Sequence, residues 1–332
     1  MSLGIYPKEG RGTLPALHPN PKTNDPALYL PSEGLVTAVE VALALGQPLL
    51  LTGEPGTGKT QLAVHLAWKF DLGDTEVFNA QTSSIARDLF YRYDALAHFQ
   101  YAQTRDEELS DDAVERLFID YQALGKAIRE NRRAVVLIDE IDKAPRDLPN
   151  DVLAALDDLE FRVPEAGNKT YAADPANRPV IIMTSNSEKN LPDAFLRRVV
   201  YYHIPFPSHA DLLRILQSKT DGYEPAALDA LIDHFELLRA NKQFTLKKPP
   251  ATAELLYWTL LLRRMNFPAA ALGAGVDPAA TLDAREKERR LLDALRRLED
   301  GPRSQLLSSY SVLAKTQDDL QTLREMLYPA KK

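Results

Sequence analysis

The sequence feature that most constrains this chain is the segment Gly53–Thr60, which reads GEPGTGKT and fits the pattern G-x-x-x-x-G-K-[ST]. The apolar run at residues 48–52 predicts a short buried strand, and Lys59–Trp68 predicts a helix. Glycines let backbone N–H groups curl around a phosphate, the lysine reaches the outer phosphates, and the threonine hydroxyl binds magnesium. The helix adds the positive end of its dipole. The alternative is a glycine-rich structural turn, which the flanking strand and helix disfavour.

This arrangement predicts binding of a nucleoside triphosphate together with Mg²⁺. The sequence shows no base-specific motif, so ATP and GTP are both open at this point. The residues predicted to bind the nucleotide are Gly53, Glu54, Pro55, Gly56, Thr57, Gly58, Lys59, Thr60 and Gln61.

A second motif, Val135–Glu140, is a β-branched and apolar run that ends in two acids. Such a run predicts a strand covered on both faces, and the carboxyl ends of parallel strands form the ligand-binding edge of an open sheet. Asp139 is predicted to hold Mg²⁺, and Glu140 is predicted to polarise the attacking water. A solvated Asp-Glu loop is the alternative, and the phosphate-loop motif upstream disfavours it. Asp142 is given no catalytic role.

Further polar residues follow the next predicted strand, residues 180–183. Asn186 is predicted to hold the attacking water or the outer phosphate, with a simple turn residue as the alternative. Arg197 and Arg198 come shortly afterwards. They fit either a surface patch or a guanidinium supplied to the nucleotide of a neighbouring subunit, and the residues alone leave both readings open.

Strands and helices alternate up to residue 206, which predicts an α/β fold with a parallel sheet between helices. From Pro207 onward the pattern is helical only, so an all-α lid is expected to follow. Within the α/β part, Val114–Glu130 is predicted to be one helix and Glu160–Tyr171 a hairpin. The predicted divisions are a proline-rich irregular arm (1–31), the core (32–206), the lid (207–266), and a linker with C-terminal helices (267–332).

Composition excludes several classes of function. The chain has no Cys, which removes disulfides and thiolate sites, and its six His residues show no spacing typical of a metal site. The net charge of −7 disfavours a dedicated nucleic-acid binder. Neither a secretory signal nor an apolar stretch of membrane-spanning length is visible, so we expect a cytoplasmic protein without a membrane span.

These motifs, in this order, resemble the AAA+ ATPases and, within them, the MoxR-like group. Gly53–Thr60 corresponds to Walker A, Val135–Glu140 to Walker B and Asn186 to sensor 1. Arg198 aligns with the arginine finger, with Arg197 as its basic neighbour. The segments 83–96 and 160–171 resemble the helix-2 insert and the hairpin of this group.

The resemblance implies an ATPase that uses ATP and Mg²⁺ and assembles as a homo-oligomeric ring, typically a hexamer. It also implies remodelling or activation of a partner protein, often one with a von Willebrand A domain. The insert aromatics Phe90, Tyr91 and Tyr93 fit either client contact or core packing. The sequence departs from the pattern at sensor 2, where Lys247 and Lys248 fit a solvated basic pair better than a phosphate contact.

Three other functions compete with remodelling. An ATPase motor on nucleic acid would need basic residues on the insert and hairpin. The insert offers Arg87 and Arg92 and the hairpin offers Arg162 and Lys169, but several acids accompany them. A small-molecule kinase would share the phosphate loop but has no use for a helical lid or an arginine acting between subunits. A binding scaffold without activity is disfavoured because Lys59, Asp139 and Glu140 are all present.

Overall fold

The computed structural model describes residues 6, 9–11, 13–14, 20–104, 109–187, 191–240, 244–273 and 284–329. The chain divides into two compact units. The first unit is Tyr29–Pro205, and the second unit consists of Met1–Leu28 and Phe206–Lys332. Much of the predicted arm 1–31 and of the predicted linker 267–281 lies outside the described residues. Among the described residues, every helix is too short or too polar to span a bilayer.

The first unit contains a five-stranded sheet in the order β2-β5-β8-β1-β9, and all neighbouring strands are parallel. Most side chains of the three central strands are fully buried because helices cover both faces of the sheet, as the continuous apolar runs predicted. The predicted fold class is confirmed. The strands are β1 (Leu49–Thr52), β2 (Glu76–Asn79), β5 (Val135–Asp139), β8 (Val180–Thr184) and β9 (Val200–His203).

Helix α1 of this unit begins and ends at the capping residues that the sequence indicated. The Ser32 hydroxyl accepts a hydrogen bond from the Leu35 amide at 3.3 Å to start α1, and Gly46 ends α1 in the left-handed conformation. The helices are α1 (Glu33–Leu45), α2 (Lys59–Lys69), α3 (Ala95–Thr104), α4 (Asp111–Phe118), α5 (Ala123–Arg129), α6 (Leu148–Asp158) and α7 (Asp193–Leu196).

The prediction of one helix over Val114–Glu130 is wrong. Helix α4 ends at Phe118, and β4 (Ile119–Tyr121) then pairs antiparallel with β3 (Tyr91–Tyr93) before α5 begins. The Gln122 amide also donates to the Phe90 carbonyl at 2.8 Å. Isoleucine and tyrosine favour strands, so a partner strand distant in sequence overrides the helical spacing around them.

The predicted hairpin exists as β6 (Glu160–Val163) and β7 (Lys169–Ala172), and β7 is hydrogen-bonded to Glu115 of α4. The Tyr121 and Tyr171 hydroxyls donate to Oε1 of Glu115 at 2.7 and 2.6 Å, and Lys169 pairs with Oε2. Burial alone would raise the pKa of Glu115, but these hydrogen bonds outweigh it and bring the pKa to about 2. The carboxylate therefore joins α4, β4 and β7.

The second unit is helical and shares one hydrophobic core from Leu212 to Leu327. At its centre His234 stacks between Trp258 and Tyr310, and Trp258 donates to the Ser309 hydroxyl at 2.8 Å. The predicted lid and C-terminal helices both contribute to this core; their division at residue 266 stays a prediction. The helices are α8 (His209–Lys219), α9 (Pro225–Ala240), α10 (Thr252–Arg264), α11 (Ala284–Arg297), α12 (Asp300–Ser309) and α13 (Gln317–Leu327).

Residues 20–28 of the predicted N-terminal arm belong to this second unit. Asn20 donates from Nδ2 to the Lys219 carbonyl at 2.8 Å, and Lys22 forms an ion pair with Asp221. The Lys219 ammonium in turn donates to the carbonyl of Thr23 at 2.8 Å. These bonds fix the arm against the end of α8.

Candidate active site

The phosphate loop leaves the carboxyl end of β1 and enters α2. Gly53, Gly56 and Gly58 all have positive φ, at 143°, 77° and 91°. At Gly53 a Cβ would lie only 2.6 Å from the Ile204 carbonyl oxygen, so the loop conformation and the neighbouring strand both require glycine there. The loop therefore takes a conformation that most side chains would prevent.

Lys59, the first residue of α2, is 8% exposed and turns back into the loop. Its ammonium donates to the carbonyls of Gly53 and Glu54 at 2.8 and 3.0 Å. Burial lowers the pKa of Lys59, and the negative charges of Asp139, Asp142 and Glu140 partly offset this effect. The loop thus holds a cation with little water around it, which strengthens its attraction for an anion.

The remaining loop residues have simpler surroundings. The Thr57 hydroxyl donates to the Glu54 carbonyl at 2.8 Å and closes the turn. Glu54 and Pro55 are exposed at the tip, and Gln61 is half-buried in the first turn of α2. The predicted contact of these residues with nucleotide stays a prediction.

Asp139 accepts two hydroxyl hydrogen bonds at one oxygen. Thr60 Oγ1 donates to Asp139 Oδ1 at 3.1 Å, and Thr184 Oγ1 donates to the same atom at 2.5 Å. Register explains the meeting, because β8 pairs with β5 and the two strands end together. A carboxylate and a hydroxyl oxygen at this spacing fit the hard oxygen ligands that Mg²⁺ prefers.

Glu140 directly follows β5 in the left-handed conformation, with φ 55°, which is costly for a residue other than glycine. Its amide donates to Thr184 Oγ1 at 2.9 Å, which fixes the turn. Oε1 accepts a hydrogen bond from Nδ2 of Asn186 at 3.3 Å, and Oε2 forms an ion pair with Lys143. Both carboxylate oxygens therefore have a donor, and the side chain is 40% exposed.

Asn186 is positioned through its backbone as well as its side chain. Its backbone amide donates to Oδ1 of Asp142 at 3.3 Å, so Asp142 supports the turn. The structure thus brings together Lys59, Thr60, Asp139, Glu140 and Asn186 at one edge of the sheet.

Arg197 and Arg198 follow α7, and both are exposed. Arg198 forms an ion pair with Asp157 of α6. None of the described hydrogen bonds or ion pairs joins either arginine to Lys59 or Glu140.

The two lysines at the sensor-2 position, where the sequence departs from the pattern, lie in the second unit. Lys247 and Lys248 are exposed, Lys247 forms an ion pair with Asp318, and its amide donates to Asp319 Oδ1 at 2.7 Å. These contacts agree with the interpretation of a basic surface pair.

The insert aromatics are mostly core residues. Phe90 and Tyr91 are buried, Phe90 stacks on Phe161 with ring centres 4.9 Å apart, and Tyr91 donates to Glu165 at 2.9 Å. The alternative in which Phe90 and Tyr91 contact a client is therefore wrong for this conformation, because both rings are buried. Tyr93 is only partly buried, and its hydroxyl forms a hydrogen bond with Nδ1 of His98 at 2.7 Å.

The sequence interpretation missed two residues of the site, Thr184 and Lys143. Thr184 lies two positions before Asn186, at the end of a strand whose neighbour ends at Asp139. Pairing of the two strands would have identified it, because a hydroxyl there must meet the acids. Lys143 has no comparable signal beyond its spacing of three residues from Glu140.

Comparison with known proteins agrees with this geometry. The family model of the AAA domain (dynein-related subfamily) matches residues 48–199. Residues 48–199 are thus similar to the AAA domains that this family model describes. The match includes the phosphate loop, both acids, Asn186 and both arginines, while the helical second unit lies beyond it.

Two solved structures are similar to most of this chain at low sequence identity. The RuvB Holliday junction branch migration motor of Thermotoga maritima is 15% identical, with 84% of this chain and 74% of that chain covered and a TM-score of 0.42. NtrX of Brucella abortus in complex with ADP is 18% identical, with 91% and 68% covered and a TM-score of 0.43. At such similarity no property of either protein is carried over to this chain.

Proposed function

We propose that this protein is a MoxR-like AAA+ ATPase that hydrolyses ATP to remodel or activate a partner protein. The observation that supports the proposal most is the convergence of Lys59, Thr60, Asp139, Glu140 and Asn186 at the carboxyl edge of one parallel sheet. A cation, an oxygen pair for a metal, a carboxylate and an amide are together what hydrolysis of a triphosphate requires.

In the proposed mechanism each residue has a separate task. Lys59 and the loop amides bind the outer phosphates, and Thr60 with Asp139 would hold Mg²⁺, which neutralises phosphate charge when bound. Glu140 accepts a proton from the attacking water. Asn186 orients that carboxylate through its side-chain amide, because Nδ2 lies 3.3 Å from Oε1 of Glu140. Thr184 fixes both acids because its hydroxyl bonds to Asp139 and to the Glu140 amide.

The proposal includes a homo-oligomeric ring, with six subunits as in the group that the sequence resembles. Arg198 is exposed and its ion-pair partner is the surface residue Asp157, so it can turn toward the nucleotide of a neighbouring copy. Arg197 would support it as a second cation. A partner protein with a von Willebrand A domain and a cytoplasmic location also belong to the proposal.

The geometry disfavours the alternative of a motor on nucleic acid. Arg87 of the insert forms an ion pair with Glu165, and Lys169 of the hairpin pairs with Asp112 and Glu115. Two of the four basic residues that such a motor would use are therefore neutralised within the protein, which weakens their attraction for phosphate.

The variant Glu140→Gln tests the proposal. The matched control is Glu40→Gln, at an exposed position of α1. ATP hydrolysis by the full-length Glu140 variant should fall by about 10²- to 10⁴-fold because the proton acceptor is lost. Nucleotide binding should persist, and the oligomer should become more stable in ATP and Mg²⁺. Lys59→Ala should abolish binding instead. Normal turnover by Glu140→Gln would remove Glu140 from its role.

The trapped variant also separates the competing functions. Purified from its host in ATP, Glu140→Gln should retain a partner protein that the Lys59→Ala variant does not retain. Nucleic acid retained in the same ATP-dependent way, confirmed by filter binding, would favour the motor. Phosphate transfer to a small molecule, at a specific rate independent of protein concentration, would favour a kinase.

A further inference from the structure

Helices α8 and α9 of the second unit bring a histidine against three carboxylates. Asp229, Asp233 and Glu236 are spaced four and three residues apart on α9, which places them on one face of the helix. His209, the first residue of α8, lies opposite them. The phosphate-loop site contains none of these residues, and nothing in the proposed ATPase mechanism uses them.

Each ring nitrogen of His209 faces a different acid. Nδ1 lies 3.0 Å from Oε2 of Glu236 and 3.7 Å from Oδ1 of Asp233. Nε2 lies 3.2 Å from Oδ1 of Asp229. Ligand atoms of His209, Asp233 and Glu236 all lie within 4.8 Å of one another. Three potential metal ligands from two helices thus converge on one point.

These distances suit a small divalent cation. Zinc binds nitrogen and carboxylate oxygen at about 2.0–2.2 Å, so neighbouring ligand atoms of a tetrahedral ion are about 3.3 Å apart. The two distances from Nδ1, 3.0 and 3.7 Å, lie on either side of this value. Modest side-chain rotation would therefore complete a three-ligand site with an open fourth position.

Asp229 supplies a second, independent feature of a metal site. A histidine that binds a metal through one nitrogen usually donates its other N–H to a carboxylate, which fixes the ring. Nε2 of His209 has such a carboxylate in Asp229 while Nδ1 faces Asp233 and Glu236. The arrangement is that of two ligating acids and one orienting acid.

The charge balance also favours a cation. Asp233 Oδ1 is buried and accepts no hydrogen bond, and its cationic neighbour is the Lys287 ammonium at 2.5 Å. Lys287 neutralises only one of the three carboxylates. Without a metal, a His209 ring that carries two protons balances one more carboxylate and makes the cluster an ion-pair network, but one of the three negative charges is still unbalanced.

We propose that His209, Asp233 and Glu236 form a binding site for a zinc-type divalent cation, with Asp229 orienting the histidine. The mixed nitrogen and oxygen ligands select against Mg²⁺ and Ca²⁺, which prefer oxygen alone. Lys287 occupies the site in the metal-free state and competes with the ion. The spacing of histidines along the chain could not indicate this site, because its acids come from another helix.

Titration of the full-length, EDTA-treated protein with Zn²⁺ by calorimetry tests the site, without nucleotide or Mg²⁺. We expect one Zn²⁺ per chain and a metal-induced rise in the temperature of unfolding reported by Trp258 fluorescence in a Trp68→Phe background. His209→Gln and Glu236→Gln should each weaken binding more than tenfold. Asp229→Asn should weaken it about 10- to 100-fold because the ring loses its orienting carboxylate.

Two controls separate this site from others. Asp139→Asn alters the phosphate-loop site in the other unit and should leave this Zn²⁺ affinity unchanged. Lys287→Met should tighten binding because it removes the competing cation. Wild-type affinity in His209→Gln, confirmed as folded by its unfolding curve, would overturn the proposal. So would failure of the wild-type chain to take up stoichiometric Zn²⁺, which would identify an ion-pair network only.

Discussion

Asn186 donates from Nδ2 to Oε1 of Glu140 at 3.3 Å, although the two residues are 46 positions apart in the chain. They meet because β5 and β8 are neighbours in the sheet and end at the same edge. The side-chain amide that follows β8 thus holds the carboxylate that follows β5. This contact connects the two residues that the sequence interpretation assigned separately to water activation.

Removal of the Asn186 side chain should impair hydrolysis more than binding. In Asn186→Ala the Glu140 carboxylate loses an orienting donor, and kcat should fall by about 100-fold, as for other catalytic hydrogen-bond donors. The Kd for ATP should change little, because the phosphate loop is intact. Asn177→Ala, whose described side-chain contacts are with Asn131 at the far end of β8, is the matched control. A larger change in Kd than in kcat would contradict the assigned role.

Thr184 should prove essential although no catalytic group was predicted there. Thr184→Val removes the hydroxyl that donates to Asp139 and accepts from the Glu140 amide. A partly buried amide left without an acceptor should destabilise the first unit by about 1 kcal/mol. Activity should need higher Mg²⁺ concentrations because Asp139 is less well oriented.

Thr184→Ser serves as the control, since it keeps the hydroxyl. It should retain both the wild-type stability and the wild-type Mg²⁺ dependence, measured by urea unfolding and by phosphate release. If Thr184→Val matched Thr184→Ser in both measurements, the hydroxyl would have no such role.

If Arg198 acts between subunits, two inactive variants should complement each other. Lys59→Ala cannot bind nucleotide, and Arg198→Ala cannot supply the guanidinium, but mixed rings contain interfaces with one intact half from each. Random mixing of equal amounts should restore about one quarter of the interfaces in a head-to-tail ring. Phosphate release that never exceeds the sum of the separate variants would exclude action in trans.

How far the sequence predicts this protein depends on the range of the interactions. The strand, loop and helix around Gly53–Thr60 follow from local pattern, because glycine conformations and apolar runs specify them directly. Strand β4 was missed because its formation depends on β3, a segment far away in the chain. Thr184 and the His209 cluster were missed for the same reason, since only the folded chain shows which acids they contact.

His234 should make the second unit sensitive to acid. It is fully buried, and burial lowers the pKa of His234 to about 3. Its Nε2 lies 2.9 Å from the Tyr310 hydroxyl, and the structure describes no acid beside it that would stabilise a positive charge. The unfolded chain takes up a proton near pH 6.5, whereas the folded chain does not until about pH 3. The contribution of neutral, buried His234 to the free energy of unfolding is therefore complete above pH 6.5, and it is lost as the pH falls toward 3.

Comparison of wild type with His234→Gln measures this effect, because glutamine keeps a hydrogen-bonding group but does not ionise. Between pH 7 and pH 5 the free energy of unfolding of wild type should fall by about 2 kcal/mol more than that of the variant, at 1.36 kcal/mol for each pH unit below 6.5. Trp258 stacks on His234 with ring centres 5.6 Å apart, so its fluorescence in a Trp68→Phe background reports unfolding of this unit. Parallel pH profiles would mean that His234 takes up its proton without unfolding, and hence that water reaches this core.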